Sequence, residues 1–123
     1  MSTERYKLNM HRWMDALNQR DLNLLDTLAD ELYAIDYMLH DPDFPNLPPG
    51  PAGVKQMIRK LLTDIIPDMQ VALDDIIVEE RKIAVRFTIS GTDLPTGKSV
   101  SLTGISLSYY KGHQIVEEWE VVR

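Results

Sequence analysis

The chain has 123 residues, 44% of them hydrophobic and 26% charged, which is the balance of one globular domain spanning 1–123 and not of a disordered or membrane chain. It has no cysteine, so disulfide scaffolds, thiolate zinc sites and thiol nucleophiles are excluded. The net charge of −6, with Lys and Arg scattered, argues against nucleic acid and anionic membranes as partners.

From Thr3 to Arg20 the apolar residues Tyr6, Met10, Trp13, Met14 and Leu17 draw one helical stripe. The opening MSTERYKLNM is polar where a signal peptide would be apolar, and no window approaches the roughly 18 apolar residues of a membrane span, so the expected location is the cytoplasm. Asp21 is a suitable N-cap for a second helix carrying Leu22, Leu25 and Leu28 on one face. ELYAIDYMLH then alternates Tyr33, Ile35, Tyr37 and Leu39 against Ala34, Asp36, Met38 and His40, the pattern of a strand ending at His40.

Prolines crowd residues 41 to 50 into a stiff loop, and Pro51 suits the first turn of a third helix, where its missing N–H has no intrahelical partner. That helix shows Val54, Met57, Ile58, Leu61, Leu62 and Ile65, and Pro67 stops it. The remainder reads as a four-strand meander. MQVALDDIIVEE and RKIAVRFTIS flank a turn at Glu80 and Arg81, SVSLTGISLSYY follows with a bulge expected at Gly104, and Lys111–Gly112 turn the chain into QIVEEWEVVR. Segregated helices and strands predict an α+β domain, a cone in which a strongly curved, mostly antiparallel sheet wraps around helices and encloses a pocket.

The closing strand carries the most chemistry. Its alternation sets Val116, Glu118, Glu120 and Val122 on one face and Ile115, Glu117, Trp119, Val121 and Arg123 on the other. Either face mixes carboxylates with apolar groups, so whichever turns inward buries a charge that burial would push toward its neutral form. Glu120 is therefore a candidate acid/base group and Glu118 beside it a candidate ligand-binding group, set against the plainer reading of solvated strand-edge glutamates. His40 is a candidate proton-exchanging or substrate-holding group, since an imidazole titrates nearest neutrality. Trp13, Met14, Tyr37 and Trp119 are candidate walls for a flat apolar ligand, or simply core. His11, His40 and His113 show no metal-ligand spacing, and no nucleotide or phosphate fingerprint is present, so no metal and no cofactor is expected.

IDYMLHDP at 35 to 42, PGPAGVKQMI at 49 to 58, IPDMQVALDDIIVEERKIAVRFTISGT at 66 to 92, PTGKSVSLTGISL at 95 to 107 and IVEEWEVV at 115 to 122 resemble, in order, the SnoaL-like polyketide cyclase family. That family belongs to the nuclear-transport-factor-2-like superfamily of α+β cones, which also holds ketosteroid isomerases. The resemblance implies a homodimer, a pocket for a small apolar molecule, and metal-free acid/base ring closure by a last-strand carboxylate, here Glu120, with His40 at the end of the first strand. GTDLPTGK is shorter than the corresponding family loop and lacks its histidine, and Ser106 stands where some cyclases have another. Two functions follow. One is cofactor-independent aldol cyclisation or isomerisation of an apolar carbonyl or polyketide-like compound. The other is a non-catalytic ligand-binding or association module of the same fold.

Overall fold

A computed structural model of the protein describes residues 2–123. Helix α1, Thr3–Gln19, starts at Ser2, whose side chain accepts the Arg5 N–H, and ends where Arg20 turns left-handed at φ 53°. Its predicted stripe of Tyr6, Met10, Trp13, Met14 and Leu17 is buried throughout. Helix α2, Leu22–Leu32, is capped as expected by Asp21, whose carboxylate accepts from Asn23 and Leu24. Strand β1, Tyr33–His40, follows without a loop, so Glu31 and Leu32, read above as strand, complete the helix.

Helix α3, Pro51–Lys60, carries Pro51 in its first turn. It continues as a π-helical turn, Leu61–Ile65, before Pro67. Arg59 and Lys55 pair with Asp26 and Asp30 of α2 at 2.7 and 2.9 Å, which seats α3 on α2.

The four remaining strands are β2, Gln70–Glu79, β3, Lys82–Thr92, β4, Ser99–Lys111, and β5, Gln114–Val122. They form the predicted antiparallel meander, and β1 adds to β5 in parallel, giving the order β1-β5-β4-β3-β2. Asn18, near the end of α1, extends the far edge of the sheet. Its Nδ2 donates to Val71 O at 2.9 Å and its Oδ1 accepts Val71 N–H at 2.7 Å, so the side chain copies a strand partner.

Register shifts between Leu73 and Asp75, between Tyr109 and Tyr110, and within β1 bend the sheet around the helices. The shift at Tyr109 places an extra residue, Val116, in β5, so Ile115 joins Glu118 on the inner face instead of alternating away from it. Gly104 is not a bulge: β3 and β4 pair without interruption from Lys82↔Tyr109 to Thr92↔Ser99. A Cβ at residue 104 would lie 2.2 Å from Phe87 Cζ, so the glycine makes room for the ring on the neighbouring strand.

The core fills the concave side. Ile83, Val85, Phe87 and Ile89 alternate inward from β3 and meet α1, α2 and α3. On β4 the inward positions are Gly104, Ser106, Ser108 and Tyr110, and three of these four are too small to fill the space beneath them. Among the described residues, no helix is long and apolar enough to cross a membrane.

Candidate active site

The small side chains of β4 leave a cavity of about 70 Å³ between sheet and helices. Its apolar walls include Met10, Trp13 and Met14 from α1, Met57 and Leu61 from the third helix, and Tyr33 and Phe87 from the sheet. Its polar wall is Ser106, Glu118 and Glu120. No Lys, Arg or His lines it among the described residues.

Glu118 is buried, and its carboxylate is held at both oxygens. Tyr37 Oη donates to Oε1 at 2.7 Å and Ser108 Oγ donates to Oε2 at 2.6 Å. Burial raises this carboxyl above its ordinary range, while the two hydroxyl bonds pull it back toward the charged form. Glu120, next on the same strand face and part-buried, has no such hydroxyl donor. Burial, the Glu118 charge and a hydrogen bond with Asp41 all push its carboxyl well above the usual carboxylate range. Both carboxyls are pushed up, Glu120 the further, because Tyr37 and Ser108 stabilise the charged form of Glu118 alone. Burial first, then the Glu118 charge, also keeps the Tyr33 and Tyr37 hydroxyls protonated far above the ordinary phenol range.

Of the residues singled out in the sequence, Glu120, Glu118, Ser106, Trp13 and Met14 meet around the cavity, and Tyr37 reaches it through Glu118. His40 and Trp119 lie on the other side of the sheet. Their rings stack at 5.0 Å and 18°, His40 Nε2 is 2.7 Å from Glu117 Oε2, and Tyr109 packs edge-on against Trp119. The cause is register: His40 pairs with Trp119, and in a strand only alternate residues share a face.

An open cleft of about 430 Å³ runs beside this stack, lined by His40, Asp41, Pro42, Pro45, Trp119 and Glu120. Sequence reasoning did not single out Ser108 or Asp41. Ser108 follows Gly104 and Ser106 on one alternation, a signal present in SVSLTGISLSYY; Asp41 carries none, because its neighbour depends on the β1–β5 pairing. Among the described residues, no group of three or more His, Cys, Asp or Glu side chains is arranged to hold a metal ion.

Comparison with known proteins agrees with this architecture. The family described as SnoaL-like domain matches residues 10–118. The chain belongs to the SnoaL-like domain family. Among solved structures, this SnoaL-like chain is similar to TsrD from Streptomyces laurentii, with 20% identity, 99% of this chain and 90% of that one covered, and a TM-score of 0.84. IdmH from Streptomyces antibioticus, described as a candidate polyketide cyclase, is 25% identical over 94% of this chain and 90% of its own, with a TM-score of 0.76. A protein of ketosteroid isomerase-like fold from Catenulispora acidiphila, solved with trimethylamine, is 14% identical over 91% and 82%, with a TM-score of 0.76. No curated protein sequence matches the chain. SnoaL-like proteins of this fold form a small-molecule-binding family.

Proposed function

We propose that the protein is a cofactor-independent acid/base enzyme acting on a small apolar carbonyl compound held in the cone. One observation carries the reading: two inward carboxyls of β5 line a mostly apolar cavity, Glu118 held by two hydroxyl donors and Glu120 by none. Glu118, whose charged form Tyr37 and Ser108 stabilise, accepts a proton from the carbon beside the carbonyl. Glu120 donates its proton to the carbonyl oxygen, giving the enol. Return of a proton at another carbon completes an isomerisation, and attack of the enol on a second carbonyl completes an aldol closure. The two residues are spaced about 6–7 Å along the strand backbone, a spacing that lets their side chains reach a carbonyl and its neighbouring carbon.

A cavity of about 70 Å³ admits only a few heavy atoms as it stands. Met10, Met14, Met57 and Met69 in its wall supply the adaptable packing that a larger substrate needs. Similarity to a candidate polyketide cyclase makes polyketide-like carbonyls the first class to test. We extend the reading to a homodimer formed through the outer face of the sheet, where Ile77, Ile105, Trp119 and Val121 are exposed.

The test is solvent-deuterium exchange at the carbon beside the carbonyl, followed by NMR across a panel of ketones and diketones. Wild-type protein is expected to catalyse exchange, and Glu120→Gln to lose about 10²–10⁴-fold of the rate. Unchanged exchange in the variant would refute the assignment. A second reading, binding without turnover, is favoured by the commitment of His40 to Glu117 and Trp119 on the outer face. Ketones that saturate the cavity with no exchange would select it.

A further inference from the structure

Glu120 borders two voids, the cavity beneath the helices and the more open cleft beside the proline loop. Asp41 borders only the cleft. The β1–β5 register ends at His40↔Trp119, so the next residues along the two strands are Asp41 and Glu120. Both residues line the cleft from neighbouring strand positions, and two carboxyls so placed can hydrogen-bond to one another only if one of them carries a proton. Asp41 is 5% exposed, and its Oδ1 accepts the Asp43 N–H at 2.8 Å, so the carboxyl is fixed by its own loop.

We propose that Asp41 is a positioning residue: it and Glu120 form one proton-sharing carboxyl pair that aims the Glu120 acid into the cavity and joins it, through the cleft, to solvent. The inference rests on the acid/base reading of Glu120. When Glu120 gives the one shared proton to a ligand oxygen, both groups are left as carboxylates. Asp41 takes a proton from solvent in the cleft and shares it again with Glu120, and the enol releases one proton to solvent as the carbonyl re-forms. The cycle neither creates nor consumes charge. The other titratable groups facing the pair are Glu118 on β5, Tyr33 and Tyr37 on β1, and His40 at the cleft, with the Asp43–Arg123 contact at 3.8 Å nearby on the loop. None of them supplies a second donor to Glu120.

Carboxyl-carbon NMR titration of the whole chain provides the test, with Asp41→Asn and Glu120→Gln assigning the signals. In wild-type protein the Asp41 and Glu120 signals are expected to move together at two shared steps. In Asp41→Asn, whose amide oxygen still accepts the Asp43 N–H, Glu120 is expected to titrate in a step displaced downward. A Glu120 midpoint that stays raised and ignores Asp41→Asn overturns the pair but leaves the acid/base reading standing. An ordinary wild-type midpoint overturns both. If Asp41→Asn does not fold, the wild-type titration decides: shared steps support the pair and independent steps overturn it.

Discussion

At the scale of single residues, Glu120 ties stability to pH in a direction opposite to that of most carboxylates. Its carboxyl holds a proton in the folded protein at pH values where the unfolded chain, near the ordinary value of 4.5, has already released it. The native state therefore binds more protons, and stability falls as pH rises from about 4.5 through the raised folded value. Replacing Glu120 with Gln removes this slope. Urea denaturation is expected to find Glu120→Gln close to wild type at acid pH and progressively more stable than wild type toward pH 8, the reverse of its effect on catalysis. Parallel curves for the two proteins would show that Glu120 titrates normally. That Glu118 and Glu120 share a face was legible in the sequence because alternation puts them together with Val122, but alternation left open which face turns inward. The destination of His40 was not legible. It follows from pairing with β5, 77 residues away at Glu117, and a single sequence carries no record of parallel pairing at that distance.

At the scale of elements, the cavity exists because of what β4 omits. Gly104, Ser106 and Ser108 face inward beneath the helices, and the Phe87 ring from β3 lies over Gly104. A methyl at residue 104 would meet three ring atoms of Phe87 at 2.2 to 2.8 Å. The ring has one direction in which to yield, into the cavity it already lines. Gly104→Ala is expected to cost about 1–3 kcal/mol by overpacking and to abolish ligand uptake, as read by denaturation and by equilibrium binding of the same ketones. Full binding in this variant would show that the ligand sits elsewhere. Gly104 also marks where sequence reasoning stops short. A glycine interrupting an alternation announces either a bulge or a close neighbour, and only the facing residue distinguishes them. The three helical stripes, the Asp21 cap and Pro51 in the first turn of α3 were all readable, because each is set by residues within one or two turns of one another. The π-helical turn at Leu61–Ile65 and the extra residue at Val116 answer to packing across the sheet, and the local pattern does not contain them.

Across the whole molecule, β4 and β5 are amphipathic the wrong way round for a sheet with one face in water. Ser106, Ser108, Glu118 and Glu120 look inward, and Ile105, Leu107, Tyr109, Trp119 and Val121 look outward. Polar groups inward make the site, and the matching apolar groups outward make a surface that water does not favour. Ile77 and Ile105 are 63% and 59% exposed, and the cross-strand rows Ile77–Ala84–Leu107–Trp119 and Ile105–Val121 join these residues into one stripe. Two copies each carrying −6 repel one another, so the proposed self-association relies on this apolar stripe rather than on charge. Burial of about 800 Å² on each partner is the usual size of a stable interface, and the sheet face offers an extended area for it. Sedimentation is expected to give twice the 14.1 kDa chain mass for the wild type, and Ile105→Lys, which places a charge in the middle of the stripe, is expected to sediment as the single chain while retaining the cavity. A wild-type protein that sediments only at 14.1 kDa would leave the outward stripe unexplained by self-association.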